Sequence, residues 1–570
     1  MSDTNAVELV KRGDGRFAKR QTLDSFRQEV ALNFAPWLAS WTTELQLGED
    51  YGAHLVDGTP LLLARDFVAQ IGSMLRPAGK QWAWHRTAHD DLNNDREVRD
   101  YLDWRSRQMM RILFDPVVGA QRALTATDQF FGLFGDGVLS TDYGTDQVTL
   151  RLANHHTKDC VWAIGEEGRV DTLTRREQVS ARVLKRRYGE GKLHENIKKA
   201  CGVDPDKTFE IRHEVMPADE YDAYEMGEER HGRTTRRGGF ASVWIDVEHR
   251  QVLREAWQPS MRYVVPHWVR LQNNAYAISP ATTIALPDAR LIQEQALAIL
   301  EAAEVQVGPP LVAYADTIRG DVNLKARGIT WVDRTYDERQ GAPVTPLELA
   351  KNFQLGVDAL LRTEHQLTRA FYLDVLRMPD TRRTKSIPEV QFQIDEYVRA
   401  ALPLFAPMQV EYNEAMLREV DLLIMLRGGY SMREVPQALR DERLQFAWDN
   451  PLTDMLERQK AQMVAEVSQV GQTLAALEAA AASAPSLKQI NPAKALRETV
   501  IGLGAAQWLL SEREAKAEAA RMVQQQQMQQ MIAAAPNLAS VIDSGVNAAS
   551  AAAQIPNPSE PGMPLLPEPV

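Results

Sequence analysis

The sequence predicts an α+β fold that is predominantly helical. Long amphipathic helical patterns occur in the first third of the chain and again after residue 287. A block of short β-branched and aromatic runs extends from about 147 to 268, and alanine-rich helical segments follow about residue 450. With 570 residues the chain exceeds a single hydrophobic core, so we expect it to form several subregions.

The first third of the chain contains four helical patterns. The segments FRQEVALNFAPWLASW and LLLARDFVAQIGSMLRP have helical apolar spacing, and the second ends at Pro77. The third pattern, DREVRDYLDWRSRQMMRILFD, has an apolar stripe made of Val98, Leu102, Met109, Ile112 and Leu113. In the fourth, QRALTATDQFFGLFGDGVLSTDY, three glycines indicate the end of a helix and a turn; they are Gly132, Gly135 and Gly137.

Strands are predicted next. The runs are VTLRLA, CVWAIGEEGRVDTLTR, FEIRHEVMP, ASVWIDVE and YVVPHWVRL. The charged run RREQVSARVLKRRYGEGK predicts a helix that interrupts them. We interpret its basic residues as an amphipathic surface, with a nucleic-acid patch as the alternative; they are Arg175, Arg176, Arg182, Lys185, Arg186 and Arg187. The run HGRTTRRGG, from His231 to Gly239, predicts an exposed hairpin tip or a flexible loop.

Two long helices with an insertion between them are predicted after residue 280. The first begins at Pro287, which suits a first helical turn, and ends before the run Gly308-Pro309-Pro310. Residues 311 to 344 predict short strands and turns. The second helix is predicted over 346 to 376, with Thr345 and Glu348 as a capping box, and about 30 residues give a rod of roughly 45 Å.

A short basic loop, MPDTRRTKS, follows this helix. It contains Arg382, Arg383 and Lys385, and a second capping box (Ser386 with Glu389) begins another helix directly after it. A small cationic loop in an acidic chain is suited to meet a polyanion at one place, although a solvated turn is the plain alternative. The helix after the loop should be kinked by Pro403 and Pro407.

Composition excludes several classes of protein. The formal net charge is -12 and the pI is about 5.6, which argues against a surface that binds nucleic acid along its length. Cys160 and Cys201 are the two cysteines, and their separation suits free thiols in a reducing compartment. No secretory signal pattern and no apolar stretch of membrane-spanning length is present, which predicts a protein of the cytoplasm without a membrane partner.

Catalytic and metal-binding motifs are not evident. The nearest approach to a phosphate-binding loop is Gly189-Glu190-Gly191-Lys192, which lacks both the first glycine and the final hydroxyl residue. His85 and His89 could share a helix face, but no third ligand stands near them, so we interpret them as surface histidines. The sequence predicts no enzyme, no cofactor and no metal site.

Several segments, taken in order, resemble the portal (head-to-tail connector) proteins of short-tailed bacteriophages. They are HLVDGTPLLLARDFVAQIGSMLRPAGKQW, LTATDQFFGLFGDGVL, YAISPATTIALPDARLIQEQALAILEAAEVQVGPPL, HQLTRAFYLDVLRMPDTRRTKSIPEV and LREVDLLIMLRGGY. Each segment alone is a weak signal, whereas their shared order and spacing are specific. The resemblance covers residues from about 20 to 530.

The resemblance implies a ring, typically of twelve subunits, around a central channel at one vertex of the capsid. Its implied partners are double-stranded DNA in the channel, the terminase motor, a tail adaptor, and capsid and scaffold proteins. It also implies assembly in the host cytoplasm and a final place in the virion. Arg382, Arg383 and Lys385 would then be DNA-facing residues of the tunnel loop.

The same resemblance divides the chain into named parts. The expected parts are an N-terminal wing (1–280), a stem helix (281–306), the clip (307–345), a second stem helix (346–376), the tunnel loop (377–386), a C-terminal wing (387–450), crown and barrel helices (451–535) and a flexible tail (536–570). A non-channel scaffold or adaptor protein of a virion is the alternative function. The clip insertion and the basic loop favour the channel, since an elongated scaffold needs neither.

Overall fold

The structure is a computed structural model of the chain. It describes residues 2–77, 79–144, 150–225, 238–272, 274–307, 309–313, 318, 331–332, 344–346, 353–376, 407–440, 442–448, 468–469 and 472–473. The chain divides into two compact units, Met1–Leu456 and Glu457–Val570. In the second unit the four described residues are helical. The predicted crown (451–535) otherwise lies outside the described residues, as do the tail (536–570) and the segment 226–237, which includes most of the predicted loop HGRTTRRGG.

The first unit contains both helices and strands. Its α-helices are α1 (Ser2–Lys19), α2 (Gln21–Phe34), α3 (Thr59–Leu75), α4 (Asp90–Asn94), α5 (Arg96–Leu113), α6 (Ala120–Phe134), α7 (Ala181–Tyr188), α8 (Glu195–Val203), α9 (Ala218–Glu225), α10 (Leu286–Val307), α11 (Phe353–Ala370), α12 (Leu373–Leu376) and α13 (Ala415–Leu426). Its strands are β1 (Ala83–Thr87), β2 (Leu139–Tyr143), β3 (Leu150–Asn154), β4 (Cys160–Ile164), β5 (Val170–Ser180), β6 (Thr208–Pro217), β7 (Phe240–Asp246), β8 (Gln251–Gln258), β9 (Tyr263–Val264), β10 (Val269–Arg270), β11 (Ala277–Ile278), β12 (Leu311–Ala313), β13 (Val344–Pro346) and β14 (Leu444–Trp448). The mixture of helix and sheet confirms the predicted α+β class.

Antiparallel sheets occupy the region predicted as strands. The larger sheet has five strands in sequence order, β4-β5-β6-β7-β8, and a smaller one has the order β3-β2-β9. Strand β1 pairs with β14, which joins positions more than 350 residues apart in the chain. The β-rich character predicted from about 147 to 268 is therefore confirmed.

The charged run RREQVSARVLKRRYGEGK is only partly helical, so one prediction was wrong. Arg175 and Arg176 lie in strand β5, where they pair with His213 and Arg212 of β6, and α7 begins only at Ala181. Eight successive residue pairs join β5 to β6. That continuous ladder of backbone hydrogen bonds outweighs the weak local preference of a charged run for helix.

The main hydrophobic core joins helices from both ends of the first unit. Phe371, directly after α11, is fully buried and packs edge-on against Phe34 of α2, with ring centroids 5.3 Å apart. Its ring also lies 5.2 Å from that of Phe67 in α3. Since α11 is reached only after the insertion at 308–352, these contacts anchor the end of that helix in the core.

A buried ionic cluster attaches α13 to the N-terminal part of the unit. Asp421 of α13 accepts two hydrogen bonds from Arg105 of α5, at 3.2 and 2.6 Å, and one of 2.7 Å from the Tyr430 hydroxyl. The Nε2 atom of His85 lies 3.2 Å from the same carboxylate. Burial alone would raise the pKa of Asp421, but His85 and Arg105 together lower it below its ordinary value. The cluster therefore holds an ionised carboxylate.

Helix α1 packs on the five-stranded sheet through a second buried carboxylate. Glu214 of β6 accepts a 2.7 Å hydrogen bond from the Thr174 hydroxyl and lies 3.5 Å from the Arg16 guanidinium of α1. Burial raises the pKa of Glu214 to about 7, against the opposing effects of Arg16 and Thr174. The folded protein therefore holds a proton at this site more tightly than the unfolded chain does.

Replacement of Glu214 by glutamine should flatten the pH dependence of stability between about pH 4 and pH 7. The stabilisation from proton binding is complete below the unfolded pKa of about 4.3 and is lost as the pH rises through the folded value. One such proton changes the free energy of unfolding by up to about 1.4 kcal/mol per pH unit. Urea unfolding at several pH values would measure the slope. Glu210→Gln, on the same strand but partly exposed, is the control, and an unchanged slope in Glu214→Gln would contradict the expectation.

The second long helix is shorter than predicted and is interrupted. Thr345 and Pro346 lie in strand β13, paired with Val312 and Leu311 of β12, so they do not begin the helix; Glu348 lies outside the described residues. Helix α11 ends at Ala370, and Tyr372 has a φ of 55°, a left-handed conformation that a helix cannot continue through. The 18 residues of α11 correspond to about 27 Å, and residues 347–352 of the predicted helix lie outside the described part of the chain.

Candidate functional site

The predicted DNA-facing residues Arg382, Arg383 and Lys385 lie outside the described residues. The described chain stops at Leu376, the last residue of α12, and resumes at 407, so the capping box at Ser386 and the proline at 403 also fall outside it. What the structure does describe is the pair of helices that precede this loop and the joint that fixes them to the core.

Helices α10 and α11 pack side by side. They are connected through strands β12 and β13, which pair antiparallel, with Val312 opposite Thr345. The Thr363 hydroxyl donates a 2.9 Å hydrogen bond to the Gln295 side chain across the pair. Gly356 of α11 lies opposite Ile299 of α10, at a distance where an added Cβ atom would make an ordinary van der Waals contact of 3.4 Å. The described parts of the insertion thus form a strand pair next to two packed helices.

The segment that leads into α10 packs against Gly135, the residue that directly follows α6. Gly135 has a φ of 87°, and an added Cβ would lie 2.8 Å from the backbone of Ile278. Only glycine fits there, because both the conformation and the close approach exclude a side chain. The Ser279 hydroxyl donates a 2.7 Å hydrogen bond to the Leu133 carbonyl, which fixes the segment leading into α10 against the end of α6.

A fully buried ion pair lies at the same joint. Asp136 bonds to the Arg27 guanidinium of α2, and both side chains have no exposed surface. The carboxylate also accepts the Ala277 backbone N–H at 3.0 Å. Burial raises the pKa of Asp136 to about 7, although Arg27 and Ala277 oppose the rise. Sequence inspection missed this pair because 109 positions separate its members, although the glycine run around Asp136 indicated a turn.

Apolar side chains are exposed on opposite sides of α10. The exposed fraction is 41% for Leu291 and 53% for Leu300. These residues are nine positions apart, which is two and a half helical turns, so they project to opposite sides. Ile292 and Ala296 of the same helix are buried. Helix α10 thus presents two apolar flanks that the described part of the chain does not cover.

The side of α10 between these flanks carries three glutamates beside the exposed Leu297. Glu294, Glu301 and Glu304 are exposed and recur at helical spacing along one side. The basic residue of this helix, Arg290, donates a 2.7 Å hydrogen bond from its Nε atom to Glu29 of α2. An anionic ligand such as a phosphodiester strand would be repelled along this face.

The basic residues around α7 are largely compensated. Arg187 pairs with Glu177 at 3.2 Å, Lys185 pairs with Glu190, and the Arg182 guanidinium lies 3.9 Å from Asp206. Arg175 pairs with Glu177 at 3.1 Å and lies over the Trp244 ring. These contacts favour the interpretation as a surface helix and strand over a nucleic-acid patch.

The structure brings together a Ser–His–Asp series that the sequence did not reveal. Ser106 Oγ lies 2.9 Å from His85 Nδ1, and His85 Nε2 lies 3.2 Å from Asp421. Ser106 and His85 are both fully buried, so a substrate cannot reach the hydroxyl. We therefore assign a structural role to the series.

The two histidines predicted at the surface differ in environment. His85 lies in strand β1 and is buried, so for this residue the surface interpretation was wrong. His89 precedes α4 and is exposed. Since the two do not share a helix, their spacing carries no metal-ligand geometry. Among the residues that the structure describes, no group of three potential metal ligands occurs, and no helix is long and apolar enough to cross a membrane.

The chain is similar in sequence to a family of bacteriophage proteins and to individual phage proteins. A family model of bacteriophage head to tail connecting proteins matches residues 8–510. A probable portal protein of Bordetella phage BPP-1 is 22% identical over 339 residues, which are 58% of this chain and 58% of that protein. A portal protein of Salmonella phage epsilon15 is 20% identical over 435 residues, 75% of each chain.

The relatives and the family model cover different shares of the chain. The alignment with the Bordetella phage protein spans little more than half of that relative's length. The family model, in contrast, covers most of this chain and includes both α10 and α11. The resemblance noted in the sequence is thereby confirmed, and the chain belongs to the family of bacteriophage head-to-tail connecting proteins.

Proposed function

We propose that this chain forms a ring at one capsid vertex through which double-stranded DNA is packaged and later ejected. The observation that carries the proposal is the helix pair α10–α11, which is anchored in the core and exposes Leu291 and Leu300 on opposite flanks. Two different patches on one subunit make a head-to-tail contact, and such a contact closes into a ring when the rotation between subunits allows it. Family membership supports the same assembly.

The parts named from the resemblance are part of this proposal. Helices α10 and α11 would belong to the stem (281–306 and 346–376), and β12 and β13 would belong to the clip (307–345) or border it. The N-terminal region (1–280) and the segment 387–450 would form the wing. Residues 377–386 would form the tunnel loop, and 451–535 the crown and barrel.

The charges suit a conduit along which DNA slides. The acidic side of α10, with Glu294 and Glu301, would repel phosphate and so prevent DNA from adhering to the wall. A band formed by Arg382, Arg383 and Lys385 of every subunit would contact phosphates without reading sequence.

We propose that the ring is a dodecamer that works without catalysis of its own. A separate terminase motor would dock to it before a tail adaptor does, while capsid and scaffold proteins surround it.

Electron microscopy of the purified full-length protein tests the proposal. Negative-stain averages along the particle axis should show rings with a central hole wide enough for duplex DNA, and they would also count the subunits. Rods or monomers without a hole would overturn the proposal and favour a scaffold or adaptor of the virion. Sedimentation velocity on the same sample would exclude the possibility that the grid surface dissociated the rings.

Changing Arg382, Arg383 and Lys385 to alanine should leave ring assembly intact but reduce packaged or retained DNA. The reason is that each ring would lose three positive charges per subunit, and phosphate contacts depend on charge. Packaged DNA per particle, measured by nuclease protection, is the readout. Arg182→Ala/Lys185→Ala/Arg187→Ala, which removes three basic residues around α7, is the matched control. Loss of the ring itself would show instead that the loop is structural.

A further inference from the structure

A concave cleft on the exposed side of α5 is lined by three arginines. Its volume is about 420 Å³, and its lining residues are Asp100, Trp104, Arg107, Gln108, Arg111 and Arg433. Arg107 and Arg111 are one helical turn apart and so project to the same side of α5. Arg433 forms the facing wall, from the chain segment that follows α13.

The facing wall is held in place by specific contacts. The Arg433 guanidinium lies over the Trp104 ring, 5.3 Å from its centroid, and donates a 3.5 Å hydrogen bond to the Asp100 carbonyl. The turn that returns the chain to α5 needs glycine. Gly428 has a φ of 72°, and an added Cβ on Gly429 would lie 2.5 Å from the Ile424 side chain. The position of Arg433 on the facing wall therefore depends on this turn and on the contacts with α5.

The cleft has uncompensated positive charge. Three arginines against one aspartate leave a net charge of +2. By contrast, Arg105 of α5 pairs with Asp421 at 2.6 Å, and Arg86 of β1 pairs with Asp103 of α5 at 2.9 Å. In the part of the chain that the structure describes, none of the three cleft arginines forms an ion pair.

We propose that this cleft binds phosphate groups. A terminal phosphate carries a charge of about -2 and three acceptor oxygens, which match the net charge of the cleft and the three arginines that line it. A single carboxylate offers half that charge and two oxygens. Trp104 is covered by Arg433, so the site recognises the phosphate and not a stacked base. Two adjacent phosphodiesters of a DNA backbone present the same charge, so a free phosphate and a DNA backbone are the two sources to distinguish.

Isothermal titration of the intact protein with inorganic pyrophosphate at low salt tests the site. Wild type should bind at one site per subunit, and Arg111→Gln/Arg433→Gln should bind about tenfold more weakly, because two exposed charge-assisted contacts are lost. Arg99→Gln, which removes an exposed arginine of the same helix outside the cleft, should bind as wild type. Equal binding by wild type and the double variant, or no saturable binding by wild type, would overturn the proposal.

Competition experiments distinguish a DNA backbone from a free phosphate as the ligand. A variant of the tunnel loop then distinguishes the cleft from the proposed channel function. A short DNA duplex without terminal phosphates that displaces pyrophosphate identifies the DNA backbone as the source, and failure to displace it identifies a free or terminal phosphate. Displacement by polyglutamate at the same charge concentration would overturn a phosphate site in favour of an acidic protein segment. The variant lacking Arg382, Arg383 and Lys385 should bind pyrophosphate normally, because none of these three residues is among those that line the cleft.

Discussion

Replacement of Asp421 by asparagine is expected to lower the free energy of unfolding by about 3–5 kcal/mol. The substitution keeps the shape of the side chain but removes the charge that faces Arg105, whose side chain is only 10% exposed. A buried guanidinium without a carboxylate partner still has the desolvation free energy of a buried charge, but the electrostatic attraction that offsets it is lost. Tyr430 and His85 would each lose a charged acceptor as well.

Chemical denaturation of the variant measures this effect. Asp103→Asn is the matched control, since it makes the same change on a partly exposed pair with Arg86 and should cost less than about 1 kcal/mol. The double variant Arg105→Gln/Asp421→Asn should recover part of the loss, because it removes the unpaired cation. Equal stability of the Asp421 and Asp103 variants would mean that the buried cluster contributes no charge interaction.

Replacement of Leu300 by glutamate is expected to abolish ring assembly without unfolding the subunit. Leu300 is half-exposed in the described subunit, so a charge there costs little while the subunit is alone. In the proposed ring this flank of α10 faces the next subunit, where a buried and unpaired carboxylate is costly at every contact. A closed ring repeats each contact around the axis, so the penalty is repeated as well.

Mass photometry and circular dichroism together give the readout. Leu291→Glu, on the opposite flank, should have the same effect, because a head-to-tail contact uses both flanks. Val203→Glu places the same charge on an apolar residue that is 89% exposed at the end of α8, and it should leave rings intact. Rings that persist in both α10 variants would show that the flanks are not subunit contacts.

Much of the secondary structure follows from local patterns. The apolar spacing around Leu102 and Met109 predicted α5, and Pro287 with the glycine-proline run after Val307 predicted the limits of α10. These features act within a few residues, through burial of one helix face and through the steric limits of proline. The family, too, was recognisable from the order of such segments, and the family model matches residues 8–510.

Local patterns failed where a distant strand competed for the same residues. Thr345 and Glu348 have the spacing of a capping box, yet Thr345 pairs with Val312 of β12. Arg175 and Arg176 belong to a charged run, yet the ladder with β6 makes them strand residues. In both cases backbone pairing with a remote segment outweighs a propensity difference of less than about 1 kcal/mol per residue.

By itself, then, the sequence determined the α+β class, the course of most helices, the acidic charge and the family. Only the tertiary structure decided which polar groups meet. Arg27 with Asp136, Arg105 with Asp421, and the three arginines of the α5 cleft come from segments that are far apart or meet only after a turn. The physical reason is that periodicity specifies which face of an element is buried, whereas its partner across the core depends on how all the elements pack together.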